Sequence, residues 1–344
     1  MNTSTAANPA SPDRHTVLHG DCVKYLRNMP DNSVHAVVTD PPYAIEGSPT
    51  DRRADDLTER RMLGMQSKNW HEKATHSRGY ADNDPATFQR WCTEWLTECL
   101  RVLMPGGHLV AFGGTRTWHR LAVAAEDAGF EIRDSIAWLY TSGFPKSTDV
   151  GREISKTDPA AGEAWSGWST TLKPSHEPVV LARKPLEGTV AQNLLKYGVG
   201  ALNIRGTRVG PPGSSSRWPT NVMLDTARAT DLDAGSKESI SLAIWVSKPN
   251  QSERVTLNET AHPTVKPLDL MRVLTRLVAP TNGLVLDPFA GSGTTAEAAL
   301  IERMRSISIE RELEYTKLIE HRLARRLRPT DIDDGEGDVL HLPL

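Results

Sequence analysis

LVLDPFAGSGTTAEAAL, residues 284–300, reads as a strand, a glycine-rich turn and the start of a helix. Leu284–Leu286 is the strand, Gly291-Ser292-Gly293 the turn, and Thr294–Glu302 the helix. Glycines let the backbone approach a ligand closely, and a helix N-terminus offers free N–H groups and a positive dipole end. The next strand, Ser306–Ile309, ends in Glu310, nineteen residues after Gly291. Doubly wound α/β folds place an acid for a ribose at about that distance. Gly291-x-Gly293-x-x-Ala296 also satisfies the relaxed dinucleotide fingerprint, so a nicotinamide reading stays open. A P-loop fits less well, because no Lys precedes Thr294 or Thr295. A tight strand-to-helix turn without a ligand is the bland alternative.

Working outward, HPTVKPLDLMRVLTRLVAP (residues 262–280) is a Pro-bounded amphipathic helix, with Leu270, Val273, Leu274, Leu277 and Val278 on one side. A last helix is expected over 312–328. At the other end, HTVLHGDCVKYLRNMPDNSVHAVVTDPPY (15–43) reads as strand, turn, short helix and strand. Val34–Thr39 is a nearly continuous apolar run, as in a strand covered on both faces. Asp84 and Pro85 open a strong helix with Phe88, Trp91, Cys92, Trp95, Leu96, Cys99 and Leu103 on its apolar face. Pro105-Gly106-Gly107 ends it, and a strand follows over 108–112. A helix over 116–128 and a strand over 132–140 complete this half. Alternating strands and helices predict an α/β fold with a mostly parallel sheet.

The 344 residues carry a formal net charge of −3, so overall charge does not argue for a nucleic-acid partner. Locally the balance differs: residues 183–217 hold six Lys or Arg and one Glu. Cys22, Cys92 and Cys99 show neither a CxxC motif nor a disulfide framework and read as reduced thiols of a cytoplasmic protein. No apolar run is long enough to span a membrane. The expected organisation is a disordered leader (1–14), a first half (15–140) with a mobile polar loop (44–83), an irregular region (141–255) with one clean strand at Pro178–Ala182, a second half (256–328) and an acidic tail (329–344).

TDPPY (39–43) together with DPFAGSGTT (287–295) resembles the amino-group DNA methyltransferases that use S-adenosylmethionine. The catalytic motif precedes the cofactor motif, which is similar to the permuted β class. HPTVKP (262–267) resembles the remaining cofactor motif of that class, and HGDC (19–22) the segment at the cofactor's adenine. SHEPVVLARKPL (175–186) is similar to phage and prophage modification methylases. The resemblance covers roughly residues 15–140 and 260–325. It implies a Rossmann-like S-adenosylmethionine-dependent methyltransferase fold with a target-recognition region inserted over 141–255.

It also implies site residues. Gly291, Ser292, Gly293 and Phe289 form the cofactor turn, and Glu310 takes the ribose. Asp21, beside Cys22, receives the adenine amine or is an ordinary turn acid. His262, Thr264 and Lys266 bind the methionine end or cap a helix. Asp287 contacts the cofactor or holds the turn. Thr294 and Thr295 donate to the cofactor carboxylate or cap the helix. No metal is called for.

Asp40, Pro41, Pro42 and Tyr43 carry the implied chemistry. An exocyclic amine is a poor nucleophile because its lone pair is delocalised into the ring. An acceptor on its N–H groups, such as the Asp40 carboxylate or the Pro41 carbonyl, directs the lone pair at the methyl group. Prolines lock that backbone and contribute no N–H. Tyr43 offers a ring on which a flipped base can stack. The acidic form of the motif favours adenine N6 over cytosine N4 in this class. Lys196, Arg205, Arg208 and Arg217 are the expected contacts to double-stranded DNA. Trp70, His71, His76 and Tyr80 of the long loop either close over DNA or are solvated, and Trp165, Trp168 and Trp218 either meet DNA or pack. A homodimer and a separate restriction nuclease are expectations of the class, and so is a cytoplasmic, nucleoid-associated location for a bacterial or phage-encoded protein. An RNA or small-molecule methyltransferase, a nicotinamide dehydrogenase and a DNA-binding module without catalysis are the rivals.

Overall fold

Period-two alternation in the second strand sets the layers of the molecule. Ala36 and Val38 point into one core and Val37 into the other, all fully buried. The computed structural model describes residues 14–43, 85–140, 147–208, 218–225, 244–246, 253–257 and 260–326. Residues 1–13, the loop 44–83 with its aromatic and His residues, Asp84, Arg217 and the acidic tail lie outside the described residues. Arg14, expected in the leader, belongs to the fold: its guanidinium donates to Asn282 Oδ1 at 2.6 Å.

The first half contributes β1 (His15–His19), α1 (Cys22–Asn28), β2 (Val34–Thr39), α2 (Pro85–Val102), β3 (Leu103–Phe112), α3 (Trp118–Asp127) and β4 (Glu131–Leu139). The region 141–255 adds α4 (Val150–Ser155), α5 (Pro159–Ala164), β5 (His176–Arg183), α6 (Val190–Tyr197), β6 (Val222–Asp225) and β7 (Ile244–Val246). After a two-stranded hairpin of β8 (Thr256–Leu257) and β9 (Thr260–Ala261) come α7 (Leu268–Val278), β10 (Leu284–Asp287), α8 (Thr294–Ile301), β11 (Arg305–Glu310) and α9 (Leu313–Arg326). Leu103 lies in a strand rather than on the α2 face. An irregularity between Val34 and Ala36 pairs Val34 with Leu103 and Ala36 with His108, so the Pro-Gly-Gly segment is absorbed into β3.

One nine-stranded sheet runs in the order β1-β11-β10-β2-β3-β5-β4-β6-β7. Its left half, from β1 to β3, is parallel throughout. β5 runs antiparallel between β3 and β4, paired with β4 from His176 to Arg183 and with β3 over Val179–Arg183. This explains its apolar sequence: Pro178–Arg183 is buried. On one face α7 and α8 pack Leu270, Leu274 and Ala298 against Val38, Val110 and Val285. On the other, α1, α2 and α3 pack Leu26, Trp95, Leu96 and Leu121 against Val37, Leu109 and Leu286. The chain leaves β10 toward β11 and leaves β2 toward β3, in opposite directions. The crevice outside the carboxyl ends of β10 and β2 is therefore the topological switch point, where open α/β sheets bind their ligands.

Candidate active site at the switch point

β2 delivers Thr39 through Tyr43 to this crevice, and β10 delivers Asp287. The strands are neighbours, with Val285 beside Ala36 and Leu286 beside Val37. That register brings the Thr39 hydroxyl to Asp287 Oδ1, to which it donates at 2.7 Å. The Phe289 N–H donates to the same oxygen at 3.1 Å. Burial pushes the Asp287 carboxyl up to about 6, against the pull of hydrogen bonds from Thr295, Thr39 and Phe289. Asp287 thus both holds the turn and presents a carboxyl there.

A four-residue cluster stands beside it. The Lys266 ammonium lies 2.6 Å from Asp40 Oδ2 and 3.1 Å from Glu177 Oε2. It also donates to the Tyr43 hydroxyl at 3.2 Å. That hydroxyl is 2.7 Å from Asp40 Oδ1 and 2.9 Å from Glu177 Oε2. The Thr117 hydroxyl donates to the Tyr43 carbonyl at 2.8 Å and pins the motif's end to the start of α3. The rings of Phe112, Tyr43 and Trp138 surround the ammonium at 4.9, 5.4 and 6.0 Å. Burial alone would lower the Lys266 ammonium, but Asp40 and Glu177 together outweigh it and hold it at about 12. Burial and the two carboxylates push the Tyr43 phenol well above its ordinary value, so it stays protonated. Two carboxylates against one ammonium leave the cluster negative, which suits an amine donor or a cation.

Lys266, expected to bind the methionine end of a cofactor or to cap a helix, places its ammonium on Asp40 and Glu177. Glu177 is a residue the sequence reading missed. A lone acid at the head of an apolar strand is a weak signal, and its partners follow only from the antiparallel insertion of β5. Tyr140, at the end of β4, is pushed up to about 12 by burial and the Glu177 charge, opposed by Lys266, which puts it on the same wall.

The glycine turn forms the cradle next to this cluster. Gly291 and Gly293 have φ of +52° and +82°, in the left-handed region that favours glycine. A Cβ on Gly291 would come within 3.0 Å of the His262 ring. His262 Nδ1 is held by the Thr264 backbone, and its ring packs edge-on against Tyr315 at 4.6 Å. Burial lowers the His262 imidazole, which is therefore neutral near pH 7. Glu310 Oε2 accepts the Gly291 N–H at 2.8 Å, and Oε1 accepts the Glu312 N–H at 2.9 Å. Gly293, not a threonine, is the N-cap of α8; Thr294 and Thr295 are buried, and Thr295 bonds to Asp287. Ser292 Oγ lies 3.4 Å from the Thr294 hydroxyl. Phe289 packs edge-on to the buried Trp95 at 5.1 Å. Asp21 accepts the Lys24 N–H at 3.1 Å and caps α1, while the Cys22 side chain is buried in the core. A glycine cradle and an acid beside it fit a nucleoside, and the N-terminus of α8 fits a carboxylate on its tail.

Three of the four expected DNA contacts, Lys196, Arg205 and Arg208, fall elsewhere; Arg217 is outside the described residues. β5 is antiparallel, so Glu177 stands at the site but Arg183, opposite His108, at the far end of the sheet. Lys196 follows from that end: Asn193 of the same helix donates to the Pro105 carbonyl at 2.8 Å. Lys196 itself pairs with Glu187 at 2.7 Å. Arg205 and Arg208 flank the far end of α7, where Asn203 N–H meets the Leu277 carbonyl at 2.8 Å and Arg276 bonds the Gly206 carbonyl at 3.3 Å. At about 1.5 Å per residue, α7 separates them from Lys266 by some 15 Å. The described segment 147–175 is rooted beside the site, where Tyr140 N–H bonds the Ser175 carbonyl (2.9 Å). Among its described residues, Trp165 and Trp168 are 46% and 61% exposed, in edge contact at 5.2 Å.

Known proteins fit this geometry. The N6/N4 family described as "DNA methylase" matches residues 34–321. The type II methyltransferase M.HindIII of Haemophilus influenzae is 28% identical over 296 residues, 82% of this chain and 86% of that one. The type II methyltransferase M.HinfI, also of Haemophilus influenzae, is 24% identical over 323 residues, covering 93% and 70%. The fold is that of the cytosine-N4-specific PvuII DNA methyltransferase, with a TM-score of 0.56, 18% identity and coverage of 91% and 92%. With the family pattern running from β2 into α9, across both the Asp40 cluster and the glycine cradle, the chain belongs to the N6/N4 DNA methylases, the S-adenosylmethionine-dependent DNA methyltransferases that act on exocyclic amines.

Proposed function

We propose that this enzyme methylates the N6 amine of adenine in double-stranded DNA, at a defined sequence, on a base flipped out of the duplex. The observation that carries the reading is the partly exposed Asp40 carboxylate at the end of β2, next in sequence to Thr39, which is bonded to Asp287 at the cradle. S-adenosylmethionine, when bound, supplies a methyl group on a positively charged sulfur. Glu310 would hold its ribose hydroxyls, and the Gly291–Gly293 backbone lets the cofactor lie close to α8. Asp21 and Cys22 would border its adenine, with His262, Thr264, Thr294 and Thr295 at the amino-acid end. Asp287 presents a carboxyl to its positive charges.

Asp40 accepts an N–H from the target amine and turns its lone pair toward the methyl group. The Pro41 carbonyl is the second acceptor, and Pro42 keeps that segment rigid. Asp40 also holds the amine's departing proton before it passes to water. Tyr43 stacks on the extruded base, which offsets part of a flipping cost of a few kcal/mol. Positioning supplies most of the rate, because a sulfonium is already a good methyl donor. The inserted region 141–255 reads the sequence, chiefly through the part that rises beside Tyr140.

The test is single-molecule sequencing of DNA from a methylation-deficient host that expresses the chain, beside an Asp40→Ala control. N6-methyladenine in a fixed motif, absent from the control, is expected. N4-methylcytosine in its place would overturn the choice of base, and no modified base would overturn the reading.

A further inference from the structure

Lys266 has three N–H donors and three acceptors: Asp40 Oδ2 at 2.6 Å, Glu177 Oε2 at 3.1 Å and Tyr43 Oη at 3.2 Å. Amine methylation, the reading on which this inference rests, needs Asp40 for another partner. An ammonium on Asp40 takes up the carboxylate's charge and repels a cationic methyl donor. The phenol proton of Tyr43 is contested in the same way, since one proton serves only one of Asp40 and Glu177 at a time.

We infer that Glu177 is a positioning residue that takes over the Lys266 ammonium and the Tyr43 proton when Asp40 turns to the target amine. Three features suit it to that task. Its carboxylate already touches both donors. It stands on β5, where its backbone is laddered to Trp138 of β4 and the next residue, Pro178, accepts the Gly113 N–H at 2.9 Å, which holds the carboxylate in place. The rings of Phe112, Tyr43 and Trp138 keep the ammonium between the two carboxylates instead of releasing it to solvent. Without Glu177 the ammonium has one carboxylate left, and Asp40 stays masked. Only hydrogen bonds are exchanged; the methyl transfer itself is unchanged.

The experiment compares wild type with Glu177→Gln, Glu177→Asp, Lys266→Met and the Lys266→Met/Glu177→Gln double variant. Methyl transfer from labelled S-adenosylmethionine to unmethylated genomic DNA gives kcat and KM, and calorimetry gives the cofactor Kd. Glu177→Gln is expected to keep the cofactor Kd within about twofold while kcat falls by on the order of thirtyfold, the pattern of an interaction used only during turnover. Glu177→Asp should recover part of that loss. Adding Glu177→Gln to Lys266→Met should cost no more than about twofold further, because the two residues act as one unit. An unchanged kcat in Glu177→Gln, losses that multiply in the double variant, or a loss of cofactor binding that marks Glu177 as scaffold would each overturn the inference. Wild-type protein that methylates no DNA would instead overturn the functional reading beneath it.

Discussion

The Thr39 hydroxyl and Asp287 Oδ1 are 248 positions apart in sequence and 2.7 Å apart in space. This bond joins the strand that ends in Asp40 to the strand that ends in the glycine cradle. It lies wholly inside the protein, since Thr39 and Asp287 are both buried. A threonine there serves two ends: its β-branch suits the strand, and its hydroxyl supplies a donor to a carboxyl that burial would otherwise leave short of partners.

Thr39→Val keeps the shape and removes that donor. Leaving a buried acceptor with one donor fewer costs about 1–3 kcal/mol. The urea midpoint should fall accordingly, and cofactor affinity should weaken with it, because the cradle loses its tie to β2. Thr39→Ser, which retains the hydroxyl, should lose less in both measurements.

Asp287 makes stability depend on pH with a definite sign. Its carboxyl rises from 3.8 to about 6 on folding, so the folded state holds a proton that the unfolded state has released. That contribution is complete below pH 3.8 and is lost as pH rises through about 6. Unfolding free energy of the ligand-free protein, followed from pH 4 to 7, should carry this downward component, and Asp287→Asn should remove it. A cationic cofactor prefers the ionised carboxyl, so its affinity should rise over the same interval. Falling affinity would place its charge away from Asp287.

How much of this was legible in the sequence follows from how local each feature is. The glycine turn and the motif at Asp40 are local, and the structure puts both at the carboxyl ends of adjacent strands. The β2 strand, covered on both faces, was legible from its unbroken apolar run. Glu177 was not, because its role depends on where β5 inserts and in which direction it runs. The same reversal carries Lys196, Arg205 and Arg208 to the opposite end of the sheet, although a count of charges made that segment look like the DNA face. The partner of Lys266 was hidden for a related reason: a Pro-bounded motif shows that a lysine is held, but not by which strand's acid.

Arg322 supports the cradle from behind. It is fully buried, donates to the Ser292 carbonyl at 2.8 Å and to the Glu253 carbonyl at 2.6 Å, and pairs with the fully buried Glu297. Breaking such a pair from one side costs up to about 3–5 kcal/mol, here moderated because Glu297 keeps Arg325 at 3.5 Å. Arg322→Met should lower the melting temperature sharply, and Arg322→Met with Glu297→Met should recover part of the loss. If the double variant is as unstable as the sum of the two single ones, the backbone bonds to Ser292 and Glu253, rather than the charge pair, hold the turn.

The two ends of the sheet should answer differently to DNA. Arg205 and Arg208 are exposed on the end away from Asp40, and Lys196 is engaged with Glu187 there. Replacing all three by Ala should leave KM for DNA and its salt dependence close to wild type. If these side chains did bind phosphates, removing each one would flatten the slope of log affinity against log salt by about 0.9. Trp165 and Trp168 stand instead on the segment whose root, at Tyr140 and Ser175, is beside the Asp40 cluster. Stacking of a base on an aromatic ring contributes about 1–3 kcal/mol. Trp168→Ala, the more exposed of the pair, should therefore raise KM for DNA by about tenfold while cofactor affinity stays unchanged. A flattened salt slope in the triple variant together with an unchanged KM in Trp168→Ala would mean that DNA reaches Asp40 by passing over the far end of the sheet.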